Sequence, residues 1–86
     1  MNFTVVWLPR ALAELAAIWT PATDRTAVTE ASFRIDQLLV NDPYHFGESR
    51  SRNERIGFYA PLVILYRVHF RERLVEVLSV GRFGHA

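Results

Sequence analysis

Two runs in the second half of the chain decide most of what it can become. From Leu62 to Phe70, the residues Leu62, Ile64, Tyr66, Val68 and Phe70 fall on one side of an extended backbone, with Val63, Leu65, Arg67 and His69 on the other. Arg71-Glu72-Arg73 makes a polar turn, and Leu74 to Val80 comes back as a second strand, so the pair is a predicted β-hairpin. One side of the hairpin is wholly apolar and needs a second layer over it. The other mixes apolar and charged residues and can face outward.

The covering layer lies upstream. After a short strand, Phe3 to Trp7, Pro9 suits the first turn of a helix, where its missing N–H costs nothing. Leu8, Leu12, Leu15 and Trp19 then recur at steps of four, three and four, a single helical stripe. Thr20-Pro21 interrupts it, and Thr23 or Asp24 can cap a second helix. There Val28, Ala31, Ile35 and Leu38 form the apolar stripe, with Glu30, Arg34 and Gln37 turned outward, until Asn41-Asp42-Pro43 stops it. Residues 42–51 read as a loop, Asn53 to Tyr59 as one more strand, and Gly81 to Ala86 as a tail. The expected fold is α+β in the order β-α-α-β-β-β, with two helices packed on one face of a small, mostly antiparallel sheet of four strands.

At 86 residues the chain has room for one domain, 1–86, with a thin core and marginal stability. It has no cysteine, which excludes disulfides and thiolate metal sites and suits a reducing cytoplasm. No run approaches the roughly 20 apolar residues of a membrane span, and Met1 to Arg10 lacks the pattern of a signal peptide, so the expected place is the cytoplasm, with no membrane partner. There is no phosphate-cradling glycine loop, serine elbow or acidic cluster for magnesium. Metal-dependent nuclease chemistry and nucleotide hydrolysis are therefore not expected, and neither is a cofactor.

All ten basic residues are arginine, a choice that follows from a GC-rich genome or from a need for forks that grip phosphates and carboxylates. On an extended segment Arg50 and Arg52 would point the same way and hold phosphate oxygens or an acidic partner helix; otherwise they are solvated loop residues. Tyr59, Arg67 and His69 join them as candidates for binding nucleic acid or a partner, although Glu72 and Glu76 can neutralise the arginines of this region. Arg82 stands where a strand ends beside Gly81, a place that often delivers a side chain into a site. Glu48 is a candidate proton carrier if its loop folds over the sheet, and a salt-bridge partner of Arg50 or Arg52 if not. His85 is either a placed acid or part of a loose terminus. The spacing of His45, His69 and His85 fits no metal motif.

Several stretches together resemble the RelE/ParE superfamily of toxins. They are the strand ending in Trp7, the run Ala11 to Trp19, and Ile35-Asp36-Gln37-Leu38-Leu39 followed by Asp42-Pro43. Pro61-Leu62-Val63-Ile64-Leu65-Tyr66-Arg67-Val68 and Val75-Glu76-Val77-Leu78-Ser79-Val80-Gly81-Arg82 complete the set. The resemblance spans nearly the whole chain and rests on element order and strand patterns. It implies the toxin of a type II toxin–antitoxin module, of the kind also named plasmid stabilisation proteins, with a cognate antitoxin as partner. RelE-like members cleave messenger RNA on the ribosome without a metal; ParE-like members inhibit DNA gyrase. For a nuclease the resemblance implies Arg55 and Arg82 as charge-neutralising groups and Glu48 or His85 as proton carriers. The family's arginine early in the penultimate strand falls at Val63, its arginine after the last strand at Phe83 beside Arg82, and its terminal tyrosine has no counterpart. Those departures favour a binding protein without catalysis, either a gyrase inhibitor or an inactive relative.

Overall fold

The expected strands and helices form, and the stretch read as a loop holds two further elements. In the computed structural model, which describes residues 2–84, the order is β1 (Thr4–Trp7), α1 (Pro9–Trp19), α2 (Arg25–Asn41), α3 (Pro43–Phe46), β2 (Glu48–Ser51), β3 (Glu54–Tyr59), β4 (Leu62–His69) and β5 (Leu74–Arg82). The sheet therefore has five strands rather than four, in the order β1-β5-β4-β3-β2. β1 runs parallel to β5, and the other neighbours are antiparallel. Asp42 explains α3: its carboxylate accepts from the backbone N–H groups of Tyr44 and His45, and Pro43 fits the first helical turn. β2 carries Glu-Ser-Arg-Ser, every residue exposed, and so has no hydrophobic alternation by which a sequence could reveal it.

β4 alternates as expected. Leu62, Ile64, Tyr66 and Val68 are buried under the helices, and Val63, Leu65, Arg67 and His69 face the other way. Val75, Val77 and Val80 of β5 join the buried side, with Val28, Ala31, Ile35 and Leu39 of α2 and Ala11 of α1 packed over them. Fully burying each Leu, Ile or Val stabilises by about 1.5–3 kcal/mol. The helical stripes differ from expectation at their edges. Leu39, not Leu38, completes the buried row of α2, as three turns of about 3.6 residues counted from Val28 dictate. In α1, Leu15 and Ile18 pack on the core, whereas Leu12 and Trp19 remain 52% and 41% exposed beside the seam with α2. No helix among the described residues is long and apolar enough to cross a membrane.

β1 stops pairing at Trp7, opposite Val77, so the rest of β5 needs another partner on that side. Glu14 of α1 supplies it, one carboxylate oxygen accepting from the Val80 N–H at 2.9 Å and from the Ser79 hydroxyl at 3.0 Å. The Val80 N–H, more than any other neighbour, holds the Glu14 carboxyl below its ordinary 4.5. Just before it, β5 carries an irregularity: Leu65 pairs with Ser79 and Tyr66 with Val77, leaving Leu78 as the extra residue.

Candidate functional site

The helices cover one face of the sheet, and the side chains of the other face divide into a charged and an apolar half. In the charged half Arg67 stands between Glu54 of β3 and Glu76 of β5 in the strand register. Arg67 Nη2 donates to Glu54 at 2.8 Å, and its Nη1 lies 4.0 Å from Glu76. His69 Nε2 meets Glu76 Oε1 at 2.7 Å. Glu54, above all, raises the pKa of Arg67. The Arg67 guanidinium is thus answered by two carboxylates, one of them also bonded to His69, and no positive charge is left over to attract a polyanion.

The apolar half is built from Phe58, Val63 and Phe83 with Ile56 and Leu65 behind them. Phe58 pairs with Val63 in the register, and the rings of Phe58 and Phe83 meet edge to face, centroids 5.3 Å apart at 88°. Phe58 is 57% exposed and Phe83 37%. Val63 and Phe83, the positions at which the resemblance expects arginines, thus share one water-facing apolar surface.

The candidate catalytic groups are not gathered there. Arg55 is opposite Tyr66 in the register and so lies on the helix side of the sheet, beneath α3. Its Nη2 donates to the carbonyls of Tyr44 at 2.8 Å and Gly47 at 2.5 Å, while its shielded Nε has no partner among the described residues. Arg82, opposite Leu62, is also on the helix side and gives its Nη2 to Asp24 at 2.7 Å. That bond lowers the Asp24 pKa and raises that of Arg82. Asp24 stands at the N-cap of α2, but its side chain makes no capping hydrogen bond there. The partners of Arg55 and Arg82 on β4, Tyr66 and Leu62, are four positions apart, about 13 Å along the strand. Glu48 pairs with Ile56 and therefore belongs to the open face, exposed at the sheet's edge. The sheet itself separates Glu48 from both arginines. His85 lies outside the described residues.

The binding candidates also fare unequally. Arg67 and His69 are on the open face, as expected. Arg50 and Arg52 do not form a pair on an extended segment, because Arg52 turns into the left-handed region with φ 25° at the β2–β3 bend. Tyr59 packs against the core from the helix side. Among the described residues no three His, Asp or Glu side chains converge as a metal-ligand set.

No protein-family model and no curated protein matches the sequence. Solved structures do. The Mycobacterium tuberculosis RelBE2 toxin–antitoxin complex includes a chain that superposes with a TM-score of 0.75 at 19% identity, over 96% of this chain and 100% of that one. This chain has the RelE/ParE fold. The chromosomal ParDE system of Pseudomonas aeruginosa gives 0.72 at 16% identity over 96% and 98%. Free Escherichia coli RelE, as a double arginine-to-alanine mutant, gives 0.71 at 16% over 95% and 84%. Both RelE and ParE structures thus share the fold at nearly equal similarity. What separates one RelE/ParE fold from another is the set of side chains on it.

Proposed function

We propose that this chain is the toxin of a type II toxin–antitoxin module, working in the cytoplasm, and that it acts by binding a protein target rather than by cutting RNA. The observation that carries the second half is the apolar surface of Phe58, Val63 and Phe83 at one end of the open face, beside an Arg67 already matched by carboxylates. Metal-free cleavage of RNA needs a proton carrier and a cation within reach of one phosphate. Glu48 and the two arginines Arg55 and Arg82 lie on opposite faces of the sheet. A water-excluding patch with an aromatic pair is instead the usual centre of a protein interface. Inhibition of DNA gyrase is the ParE-like form of this reading.

The antitoxin half rests on exposed apolar side chains elsewhere. Leu12, Trp19 and Phe33, the last 68% exposed, crowd the outer side of the helices, where Leu12, Leu15, Trp19 and Val28 line a cavity of about 270 Å³. On so small a protein such a surface is usually covered by a partner. An acidic, amphipathic reading frame beside the gene would supply one.

The test is to induce the chain without a partner and follow labelled methionine and thymidine incorporation. Thymidine falling first, with reporter messages intact on purified ribosomes, is the expected result. Cleavage of ribosome-bound message by the purified protein would overturn the binding mechanism, and growth unaffected by induction would overturn the toxin assignment. Phe58→Ser should abolish arrest while leaving stability within about 0.5 kcal/mol, since the ring is largely exposed.

A further inference from the structure

A second concavity lies away from the open-face patch, at the end of the sheet where the β2–β3 and β4–β5 turns meet α3. Tyr44, Arg52, Asn53, Arg55, Val68 and Phe70 line it, with a volume of about 270 Å³. Arginines and aromatic rings alternate around this end. The Arg55 guanidinium lies 5.7 Å from the Tyr44 ring centre, and Tyr44 meets Phe3 edge to face at 6.2 Å. Arg73 lies 5.5 Å from Phe3 and 5.4 Å from Phe70, whose ring returns to the cavity wall. The circuit closes on itself.

Three properties mark this cavity as a site rather than a packing gap. First, neither Arg52 nor Arg55 has a carboxylate within ion-pair distance among the described residues, in contrast to Arg67 and Arg82. Arg55 is fixed by backbone carbonyls, which orient the guanidinium and leave its charge uncompensated. Of the acids near them, Glu54 is on the other face of the sheet, bonded to Arg67, and Asp42 spends its carboxylate on the N–H groups of α3. Second, Tyr44 and Phe70 are 42% and 62% exposed, so flat apolar surface is open to the cavity's visitor. Third, Arg52 and Arg73 both hold left-handed backbone, φ 25° and 54°, at bends where glycine or asparagine would be easier. Strain of this kind persists where the side chain is needed.

We propose that this cavity binds a nucleotide phosphate, with Arg52 and Arg55 on the phosphate oxygens and the base laid against Tyr44 or Phe70. A phosphate monoester carries close to two negative charges at neutral pH and balances both guanidiniums; one carboxylate balances one. Guanidinium forks match phosphate geometry in two directions at once. An aromatic face accepts any base, so the site selects for phosphate plus ring and little for sequence. The Asn53 carbonyl accepts from the Val68 N–H, which fixes the bend on which Arg52 stands. The site is on the helix side of the sheet, so it operates independently of the Phe58 patch.

The experiment uses the purified full chain and follows backbone amide shifts of Tyr44, Asn53 and Phe70 by NMR. Four probes are added in turn: a nucleoside monophosphate, the matching nucleoside, inorganic phosphate, and a short single-stranded oligonucleotide. The monophosphate should saturate and bind more tightly than either of its halves. Arg52→Gly should weaken it about tenfold or more. That variant also relieves the left-handed strain, so it folds at least as well as the parent, and Arg71→Ala serves as the charge control that leaves binding unchanged. Saturation by the oligonucleotide alone, lost in Arg52→Gly, assigns the same site to a phosphate within a strand. Binding by neither the monophosphate nor the oligonucleotide, or equal binding by Arg52→Gly and the parent, overturns the proposal.

Discussion

Where β5 finishes, Arg82 is bonded to Asp24 and Glu14 closes the strand's open side; at the opposite end Arg52, Arg55, Arg71 and Arg73 have no carboxylate within 4.0 Å among the described residues. Both ends carry the same cationic side chain. What differs is whether the fold supplies the counter-charge. A matched arginine serves to hold elements together, here β5 to the start of α2. An unmatched one keeps its charge available, and Arg55, held by two backbone carbonyls, is also fixed in place. The residue type alone does not tell these roles apart; the neighbour across space does.

The largest perturbation of this contrast should come from Gly47→Ala. A methyl group at Gly47 would fall 2.7 Å from the Ile56 carbonyl oxygen and still closer to the Tyr66 hydroxyl, whose own hydrogen bond to the Pro43 carbonyl is 2.6 Å. Backbone cannot yield cheaply, so α3 should lift from Arg55. A loss of about 2 kcal/mol in urea unfolding is expected, together with loss of the phosphate response. Unchanged stability would mean that α3 does not depend on that contact.

Acid should act on the matched end. The carboxyls of Glu14 and Asp24 are held below their ordinary 4.5 and 3.8 by the Val80 N–H and by Arg82 respectively. The folded chain therefore binds fewer protons than the unfolded one in that region. The stabilisation is complete above those ordinary values and is lost as pH falls through the lower folded ones. Thermal melts followed by circular dichroism should show Tm falling below about pH 4.5, and Glu14→Gln with Asp24→Asn should flatten that slope. An unchanged slope would show that neither bond persists in solution.

A smaller effect is expected from Arg82→Ala. Its pair is partly solvated, so a modest drop in Tm should follow, matched by Asp24→Ala and not doubled in the double variant. Any relief of growth arrest should then disappear at lower temperature, since the cause is folding. Arrest abolished at every temperature in a fully folded Arg82→Ala protein would return Arg82 to the functional surface. Smallest of all, Arg71→Ala should change stability by no more than about 0.5 kcal/mol.

The sheet's interior was legible because β4 alternates strictly and α2 repeats at helical spacing. Those patterns are imposed by burial, and burial is what leaves a signature in sequence. β2 and α3 have none: one is fully exposed, and the other is a single turn made by Asp42. The site was harder for a related reason. Placing Arg55 and Glu48 on opposite faces requires the β2–β3 and β3–β4 registers, and no local pattern states a register. Phe58 and Phe83 are 25 residues apart, and their contact exists only because β4 lies between β3 and β5, which ends one residue before Phe83. Tyr44 and Phe70 had one available signal, large aromatic residues beside the proline stop and the hairpin turn.

The parallel pairing of Thr4–Trp7 with Leu74–Val77 joins the first strand to the last. During synthesis the opening segment must therefore wait, unpaired, until nearly the whole chain has left the ribosome. A nascent fragment cannot assemble the open face, because β5 supplies both Glu76 and the approach to Phe83. Whatever the open face contacts, it therefore meets a finished sheet and never a half-built one.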